Sequence, residues 1–254
     1  MKEKMQNRLL KLSYALKRNT TLNNKANTIA FLHIGKNAGT QITHVTKQLK
    51  KYNIKIKKYH HKTKLADLSR NSQYFFSIRN PATRFLSGFY SRKRKGQPRL
   101  NIDWNIHEKI AFEQFEQAND IAENLFSTNQ IGNDARAAIK SIGHTGAHQV
   151  DWFYRCAYFK KQPPLSIIRQ EFFNQDMQRL LDSLNLNIDI KTLLTKKSDL
   201  MHSNDYKKIP PLSEKGILNL EKWYIQDYLF YRDCEDWIKK TDVAFWCSPI
   251  MEFT

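Results

Sequence analysis

Short apolar runs alternate with helical periodicity along much of the chain. The apolar runs predict strands at Thr28–Ile34, about 54–59, Gln73–Ile78 and Leu165–Ile168. Helical spacing predicts helices over Thr40–Lys51, from Arg79-Asn80-Pro81 onward, over about 171–184 and from Ser213 to about Lys239. Because strands separated by helices usually pair in parallel, this order predicts an α/β fold with a central parallel sheet flanked by helices.

The region from about 100 to 160 is predicted to be a mostly helical insert. Its candidate core residues are Phe112, Phe115, Ile121 and Leu125. Ser213 is a suitable N-cap for the last long helix. The predicted apolar face of that helix runs through Ile217, Leu220, Tyr224, Tyr228 and Tyr231.

Residues 1–27 are predicted to form a basic leader helix and a polar linker. The apolar residues Met5, Leu9, Leu12 and Leu16 fall at helical spacing among lysines and arginines. Such a helix could lie on an anionic membrane surface through residues 1–18, or its narrow apolar stripe could pack on the domain. We expect the main domain over 28–240 and a tail over 241–254.

The chain is strongly basic, with a formal net charge of +18 over 254 residues. The hydrophobic content of 41% is ordinary for a globular protein, so the charge is what sets this chain apart. A surplus of this size favours a polyanionic partner, whether a nucleic acid, an anionic membrane, an acidic glycan or a phosphate-rich nucleotide. Charge alone does not choose among them.

Two absences set the expected environment. The three cysteines lie far apart and form no C-x-x-C pair, which argues against a disulfide framework and a structural zinc site. No apolar run approaches the ~20 residues of a membrane span, and the N-terminus lacks the apolar core of a secretory signal. We therefore expect a cytoplasmic protein, with the inner membrane surface as the alternative that the leader suggests.

The segment Phe31–Gln41 (FLHIGKNAGTQ) is predicted to bind an anion. A strand that ends in a glycine-bearing loop and opens directly into a helix directs several backbone N–H groups at one point. Gly35 and Gly39 allow close approach to bound oxygens, Lys36 adds a charge and Thr40 adds a hydroxyl. The segment is not a Walker A motif, since the lysine follows the first glycine. Alone, it is equally consistent with a tight turn that carries an exposed lysine.

A second segment, Ser77–Tyr90 (SIRNPATRFLSGFY), also begins at the end of a strand and enters a helix. Arg79 lies at the predicted carboxyl edge of the sheet, where open α/β sheets bind ligands. An arginine fork and the Ser87 hydroxyl are suitable ligands for a terminal phosphate. Arg84 is open to two interpretations, as another phosphate ligand or as a structural ion-pair partner.

Together these two segments resemble the sulfotransferases that use 3′-phosphoadenosine-5′-phosphosulfate (PAPS), particularly the carbohydrate, Golgi-type branch and its bacterial relatives. The resemblance implies a P-loop-like PAPS-binding fold and no metal. It assigns the 5′-phosphosulfate to Gly35, Lys36, Asn37, Ala38, Gly39, Thr40 and Gln41. It assigns the 3′-phosphate to Arg79 and Ser87, with Arg169 as a further cofactor-binding candidate. The family usually has proline at the position of Gly35 and threonine at the position of Asn37.

Sulfuryl transfer to a hydroxyl benefits from a general base with a pKa near neutrality, which points to histidine or a tuned carboxylate. Tyr59–Leu65 follows the second strand, and the resemblance aligns His61 with a family histidine, with His60 as the fallback. Lys36 would stabilise the oxygen of the leaving phosphate. His144 and His148 could help shape the acceptor cleft, although surface or capping roles are the commoner explanation. The segment His202–Asn204 could form a loop over the nucleotide.

The resemblance implies an acceptor hydroxyl on a carbohydrate. The basic segment Arg92–Arg99 could form a groove for an anionic glycan, although solvated charge is the common explanation of such runs. One alternative is a nucleotide-dependent kinase, for which no Walker B carboxylate is evident. The other is a non-catalytic nucleic-acid-binding protein, which would explain the charge without the two anion motifs. We expect no nucleic-acid partner.

Overall fold

The computed structural model describes residues 28–153, 157–194 and 209–246. The predicted leader over 1–27 and the loop with His202 and Asn204 lie outside these ranges. The four strands are β1 Ile29–Leu32, β2 Ile56–Lys58, β3 Tyr74–Ile78 and β4 Ile167–Arg169. The helices described are α1 Gly39–Gln48, α2 Pro81–Lys93, α3 Ile106–Gln114, α4 Ala118–Asn124, α5 Gln130–Ser141, α6 Ala157–Lys161, α7 Phe173–Ser183, α8 Glu214–Trp223 and α9 Ile225–Trp246. Single 3-10 turns follow α1, β2, α5, β4 and α7.

The strands form one four-stranded parallel sheet in the order β2-β1-β3-β4, which confirms the predicted α/β class. Both faces of the sheet are covered at β1 and β3, which are fully buried, whereas the edge strand β2 carries the exposed Lys57 and Lys58. Phe31 and Phe75 stack at 4.9 Å on the side that α1 and α7 cover. Leu32 and Phe76 face the opposite side, where Phe230 of α9 packs. This alternation explains why the strands appear in the sequence as short continuous apolar runs.

The strand order creates a switch point between β1 and β3. The chain leaves β1 for β2 on one side and then returns to place β3 on the other side of β1. Connections therefore diverge at the carboxyl ends of β1 and β3, which opens a crevice there. Both predicted anion segments begin at this crevice.

The helical insert packs around α2 in a separate hydrophobic cluster. The four predicted core residues of the insert are buried there: Phe112, Phe115, Ile121 and Leu125. Phe85 and Phe89 of α2 join the same cluster, together with Tyr224. The insert is therefore fixed to the helix that carries the second anion segment.

The prediction of one helix from Ser213 to about Lys239 is wrong at Tyr224. Ser213 caps α8 as expected, since its hydroxyl accepts a hydrogen bond from Gly216 N at 3.0 Å. The backbone at Tyr224 (φ −100°, ψ 26°) then ends α8 and α9 begins. The buried Tyr224 hydroxyl donates to Thr145 O at 2.6 Å, so a tertiary contact holds this break. The prediction of the apolar face is also wrong at Ile217, whose side chain is 40% exposed.

The last helix also ends later than predicted, because α9 continues past Lys239 to Trp246. Within the described ranges, no helix has the length and apolar character needed to cross a membrane.

Candidate active site

The two anion segments meet through a buried hydrogen-bonded network. Asn37 is fully buried, and its Nδ2 donates to Ser77 O at 2.9 Å and to Gln149 Oε1 at 2.7 Å. The Ser77 hydroxyl donates a hydrogen bond to Asn37 O at 2.6 Å. Gln149 also holds the next loop, because its Nε2 donates to Arg79 O and its Oε1 accepts from Arg79 N. The loops after β1 and β3 are thereby fixed relative to each other.

The loop after β1 presents its backbone rather than the Asn37 side chain. Lys36 and Ala38 both have left-handed backbone conformations, with φ of 71° and 56°. Ala38 is the N-cap of α1 and offers no side-chain acceptor to the first N–H groups of the helix. A Cβ on Gly39 would lie 2.0 Å from His33 Nε2, so a larger residue there would require His33 to move. The first N–H groups of α1 thus receive no side-chain cap, a geometry that suits an anion.

Lys36 lies at the centre of a cluster of cations. Burial and the charges of Arg79, Arg94, Arg84 and Arg99 together lower the pKa of Lys36 to about 8. A concentration of positive charge around a half-buried lysine is costly unless an anion neutralises it. The cluster is therefore suited to a ligand with several negative charges.

Arg79 extends from the end of β3 along the first turns of α2. Its Nε donates to Thr83 Oγ1 at 3.0 Å, and its Nη1 approaches Lys36 O at 3.5 Å. Ser87 lies one turn after Thr83 and is 6% exposed. Asn80 caps α2, since its side chain accepts from Ala82 N and Thr83 N. The cap and Pro81 begin the helix so that Arg79 stays next to the first loop.

Arg84 is buried and bonds to two backbone carbonyl groups. Its Nε donates to Gly35 O at 3.2 Å and its Nη1 donates to Ala147 O at 2.8 Å. Among the described residues no carboxylate bonds to it directly, although the charge of Asp227 raises its pKa against the effect of burial. Arg84 thus bonds to carbonyl groups rather than to an ion-pair partner, and these bonds join the first loop to the insert.

Histidines gather beside the first loop. The His61 ring lies 4.1 Å from His60, 6.3 Å from His33 and 6.2 Å from His144, measured between centroids. Burial and the neighbouring charge of Lys58 lower the pKa of His33 to about 3. Partial burial, His60 and two lysines also lower the pKa of His61. At neutral pH both rings are therefore neutral, and His33, whose protonated form is strongly disfavoured, is the poorer candidate for accepting a proton.

A pocket of about 480 Å³ opens against the histidines and the first loop. Its lining includes Gly35, His61, Arg84, His144 and Trp152. The pocket therefore reaches the anion loop at Gly35. Its size suits a small organic group or one to two sugar rings.

Comparison with protein-family models gives a match to the model described as Sulfotransferase family, over residues 19–232. This match covers most of the chain. The chain belongs to the sulfotransferase family. No curated protein matches it significantly. Family membership favours sulfuryl transfer over the kinase and the non-catalytic nucleic-acid-binding protein that the sequence also allowed.

In this sulfotransferase Arg169 is engaged by protein carboxylates. Its Nε and Nη2 bond to Asp176 at 2.9 and 3.0 Å, and its Nη1 lies 3.5 Å from Glu235. The guanidinium also stacks over the Phe172 ring at 4.3 Å. These contacts join β4 to α7 and α9. We therefore leave Arg169 out of the donor site proposed below.

The remaining predicted residues lie around the same crevice or away from it. Thr40 and Gln41 are half-buried on the first turn of α1. His148 lies 4.0 Å from Asp227 and does not line the pocket. Across the described ranges, no group of three or more histidine, cysteine or acidic residues is arranged to hold a metal ion.

Sequence reasoning missed two contributors to the site. Gln149 carried no local signal, because its importance arises from contacts with Asn37 and Arg79, which are distant in sequence. Arg99 was predicted only as part of a basic groove, whereas its Nη1 donates to the Thr40 hydroxyl. A basic run directly after the helix of the second anion segment was the available signal for Arg99.

Proposed function

We propose that this sulfotransferase transfers the sulfuryl group of PAPS to a hydroxyl group of a carbohydrate. The observation that carries the proposal is the convergence of two anion-binding loops at one sheet edge, where Arg79 Nη1 approaches Lys36 O at 3.5 Å. A ligand with one anionic group would need only one of these loops. PAPS carries a 5′-phosphosulfate and a 3′-phosphate, and the crevice offers Lys36 for the first and Arg79 for the second.

For the donor, we assign the 5′-phosphosulfate to the loop Gly35–Gln41 and the 3′-phosphate to Arg79 and Ser87. The uncapped first turn of α1 and Lys36 supply N–H groups and charge for the phosphosulfate. We assign Asn37 a contribution through its backbone, since its side chain is fully buried and its Nδ2 is engaged by Ser77 and Gln149. Arg94 and Arg99 add charge close to Lys36.

For the chemistry, we assign His61 as the general base and Lys36 as the group that stabilises the leaving phosphate. A neutral His61 accepts the proton of the acceptor hydroxyl while the oxygen of that hydroxyl attacks the sulfur atom of PAPS. The bond between sulfur and the bridging oxygen breaks, and its electron pair remains on the phosphate. The Lys36 ammonium then offsets the charge that develops on that oxygen. His60 is the fallback base, although it is exposed and already accepts a bond from Lys62 N at 3.2 Å.

For the acceptor, the pocket at Gly35 supports a carbohydrate. Trp152 lines it and provides an aromatic face, and its indole N–H has no hydrogen-bond partner among the described residues. Lys62 and Lys64 also line it and favour an acceptor with negative charge. An anionic glycan satisfies both features.

A glycan array incubated with radiolabelled PAPS tests this proposal. We expect the wild-type protein to label a subset of hydroxyl-bearing glycans, with acidic ones preferred. His61→Ala should lower the transfer rate by about 100-fold or more, the usual contribution of a general base. Retained transfer by His61→Ala would remove His61 as the base and leave His60. Absence of labelling on every glycan would remove carbohydrate as the acceptor.

A further inference from the structure

His144 has a backbone conformation that is uncommon for a residue other than glycine or asparagine, with φ of 75°. The surrounding segment is held on several sides. The Thr145 hydroxyl donates to Ile139 O and Ile142 O at 2.5 and 2.8 Å, and Thr145 O accepts from Tyr224. Gly143 N donates to Glu108 Oε1 at 2.9 Å. Unfavourable backbone geometry that the fold enforces in this way often marks a functional residue.

The His144 side chain occupies space that Gly35 leaves open. A Cβ built on Gly35 would lie 3.1 Å from His144 Nδ1, which is tighter than ordinary contact. Gly88 of α2 leaves room for the neighbouring Thr145, because a Cβ built there would lie 3.1 Å from Thr145 Cγ2. The resembling sulfotransferases usually have proline at the position of Gly35, and a proline ring would crowd this imidazole. The departure from the usual motif at Gly35 therefore coincides with the entry of a histidine into the crevice.

The imidazoles of His144 and His61 face the same pocket. Their centroids are 6.2 Å apart at an interplanar angle of 69°, too far for a direct hydrogen bond. One oxygen atom can bridge rings at this separation through two bonds of about 2.8 Å that meet at an angle. Burial, followed by the charges of Lys36 and Arg84, lowers the pKa of His144 to about 4. His144 is thus neutral at pH 7, with one nitrogen that donates and one that accepts.

We propose that Gly35 and His144 are a matched pair in which the absent side chain at residue 35 admits a second active-site histidine, and that His61 and His144 together hold the acceptor hydroxyl. The inference rests on the proposed transfer from PAPS. The hydroxyl donates its proton to His61 and accepts a hydrogen bond from the N–H of His144. The O–S bond then forms, the S–O bond to the phosphate breaks, and the proton remains on His61. His144 orients the oxygen and takes no proton.

Three variants test the pair: His144→Gly, Gly35→Ala and their combination. Each is assayed for cleavage of radiolabelled PAPS, with pooled desulfated glycans as acceptors and with water alone. Binding of adenosine 3′,5′-bisphosphate is measured in parallel by calorimetry. Glycine suits a positive φ, so His144→Gly should keep or raise the melting temperature while cleavage falls at least tenfold. Bisphosphate affinity should change less than twofold.

Gly35→Ala should also lower the rate of PAPS cleavage, because the added methyl group displaces the His144 imidazole. The double variant should then be no worse than His144→Gly alone. His144→Gln should recover part of the lost activity, since an amide can still donate to the hydroxyl. His107→Ala, at an exposed histidine on α3, should behave as wild type.

Three results overturn the inference: unchanged cleavage in His144→Gly, losses that add in the double variant, or a loss of bisphosphate affinity that matches the loss of cleavage. Failure of the wild-type protein to bind the bisphosphate would instead overturn the donor assignment. The two failures are therefore distinguishable.

Discussion

Replacing Gln149 by alanine should both destabilise the fold and weaken donor binding. Gln149 is fully buried in the 3-10 turn Gln149–Phe153, between the two anion loops. Its Oε1 accepts from Asn37 Nδ2 at 2.7 Å and from Arg79 N at 3.0 Å. Its Nε2 donates to Arg79 O at 2.8 Å. No other side chain bonds both loops in this way within the described residues.

The size of the effect follows from these three hydrogen bonds. Each bond contributes about 1 kcal/mol to stability, so their loss should lower the free energy of unfolding by about 3 kcal/mol. A domain of this size is usually stable by more than this, so the variant should still fold. The backbone of Arg79 loses its two hydrogen bonds to Gln149, and Gln149 no longer connects Arg79 to Asn37 in the first loop. The distance between the two anion sites therefore becomes less well defined. We expect affinity for adenosine 3′,5′-bisphosphate to fall by about tenfold, which corresponds to about 1.4 kcal/mol.

Urea unfolding and calorimetry measure the two effects separately. Gln178→Ala is the matched control, because Gln178 also makes three hydrogen bonds, to Asp182, Ile188 and Ile190, but lies on α7. That variant should lose stability and keep its bisphosphate affinity. The reasoning is refuted if Gln149→Ala loses stability but binds the bisphosphate as tightly as the wild type. It is equally refuted if stability is unchanged.

Two further predictions concern the cations of the donor site. The pKa of Lys36 is about 8, so the affinity of the wild type for the bisphosphate should fall as the pH rises through this value and the ammonium loses its proton. Lys36→Arg should bind the bisphosphate with little pH dependence. A wild-type affinity that calorimetry finds to be independent of pH would contradict this prediction. Arg99 contacts Thr40 on the first turn of α1, so Arg99→Ala should weaken binding of the 3′,5′-bisphosphate by about tenfold and leave adenosine 3′-monophosphate unaffected. Lys109→Ala, which removes an exposed cation of α3, is the control and should bind both nucleotides as the wild type does. If Arg99→Ala lost affinity equally for both nucleotides, Arg99 would not act at the 5′-phosphate.

The sheet and the two anion loops could be predicted because their signals are local. Strands buried on both faces appear as short apolar runs, as at Tyr74–Ile78. A glycine-bearing turn into a helix is visible at Gly35–Thr40, and so is the proline that begins α2. These features depend on neighbouring residues, so a single sequence contains them.

Features that depend on distant contacts could not be predicted in the same way. The helix break at Tyr224 is held by a bond to Thr145, which lies outside any helical window. Arg169 had the right position at a strand end, yet Asp176 engages it within the protein. The environment of His144 depends on Gly35 and Gly88, which the fold brings to it. Hydrophobic periodicity does not report such pairings.

The central claim is that the crevice between β1 and β3 binds a nucleotide with phosphates at both the 3′ and 5′ positions. Calorimetry with adenosine 3′,5′-bisphosphate, adenosine 5′-monophosphate and ATP tests it most directly, on the wild type and on Arg79→Ala. The account predicts one site that prefers the bisphosphate, and a loss of that preference in Arg79→Ala. Absence of bisphosphate binding to the wild type, or a preference for ATP, would contradict it.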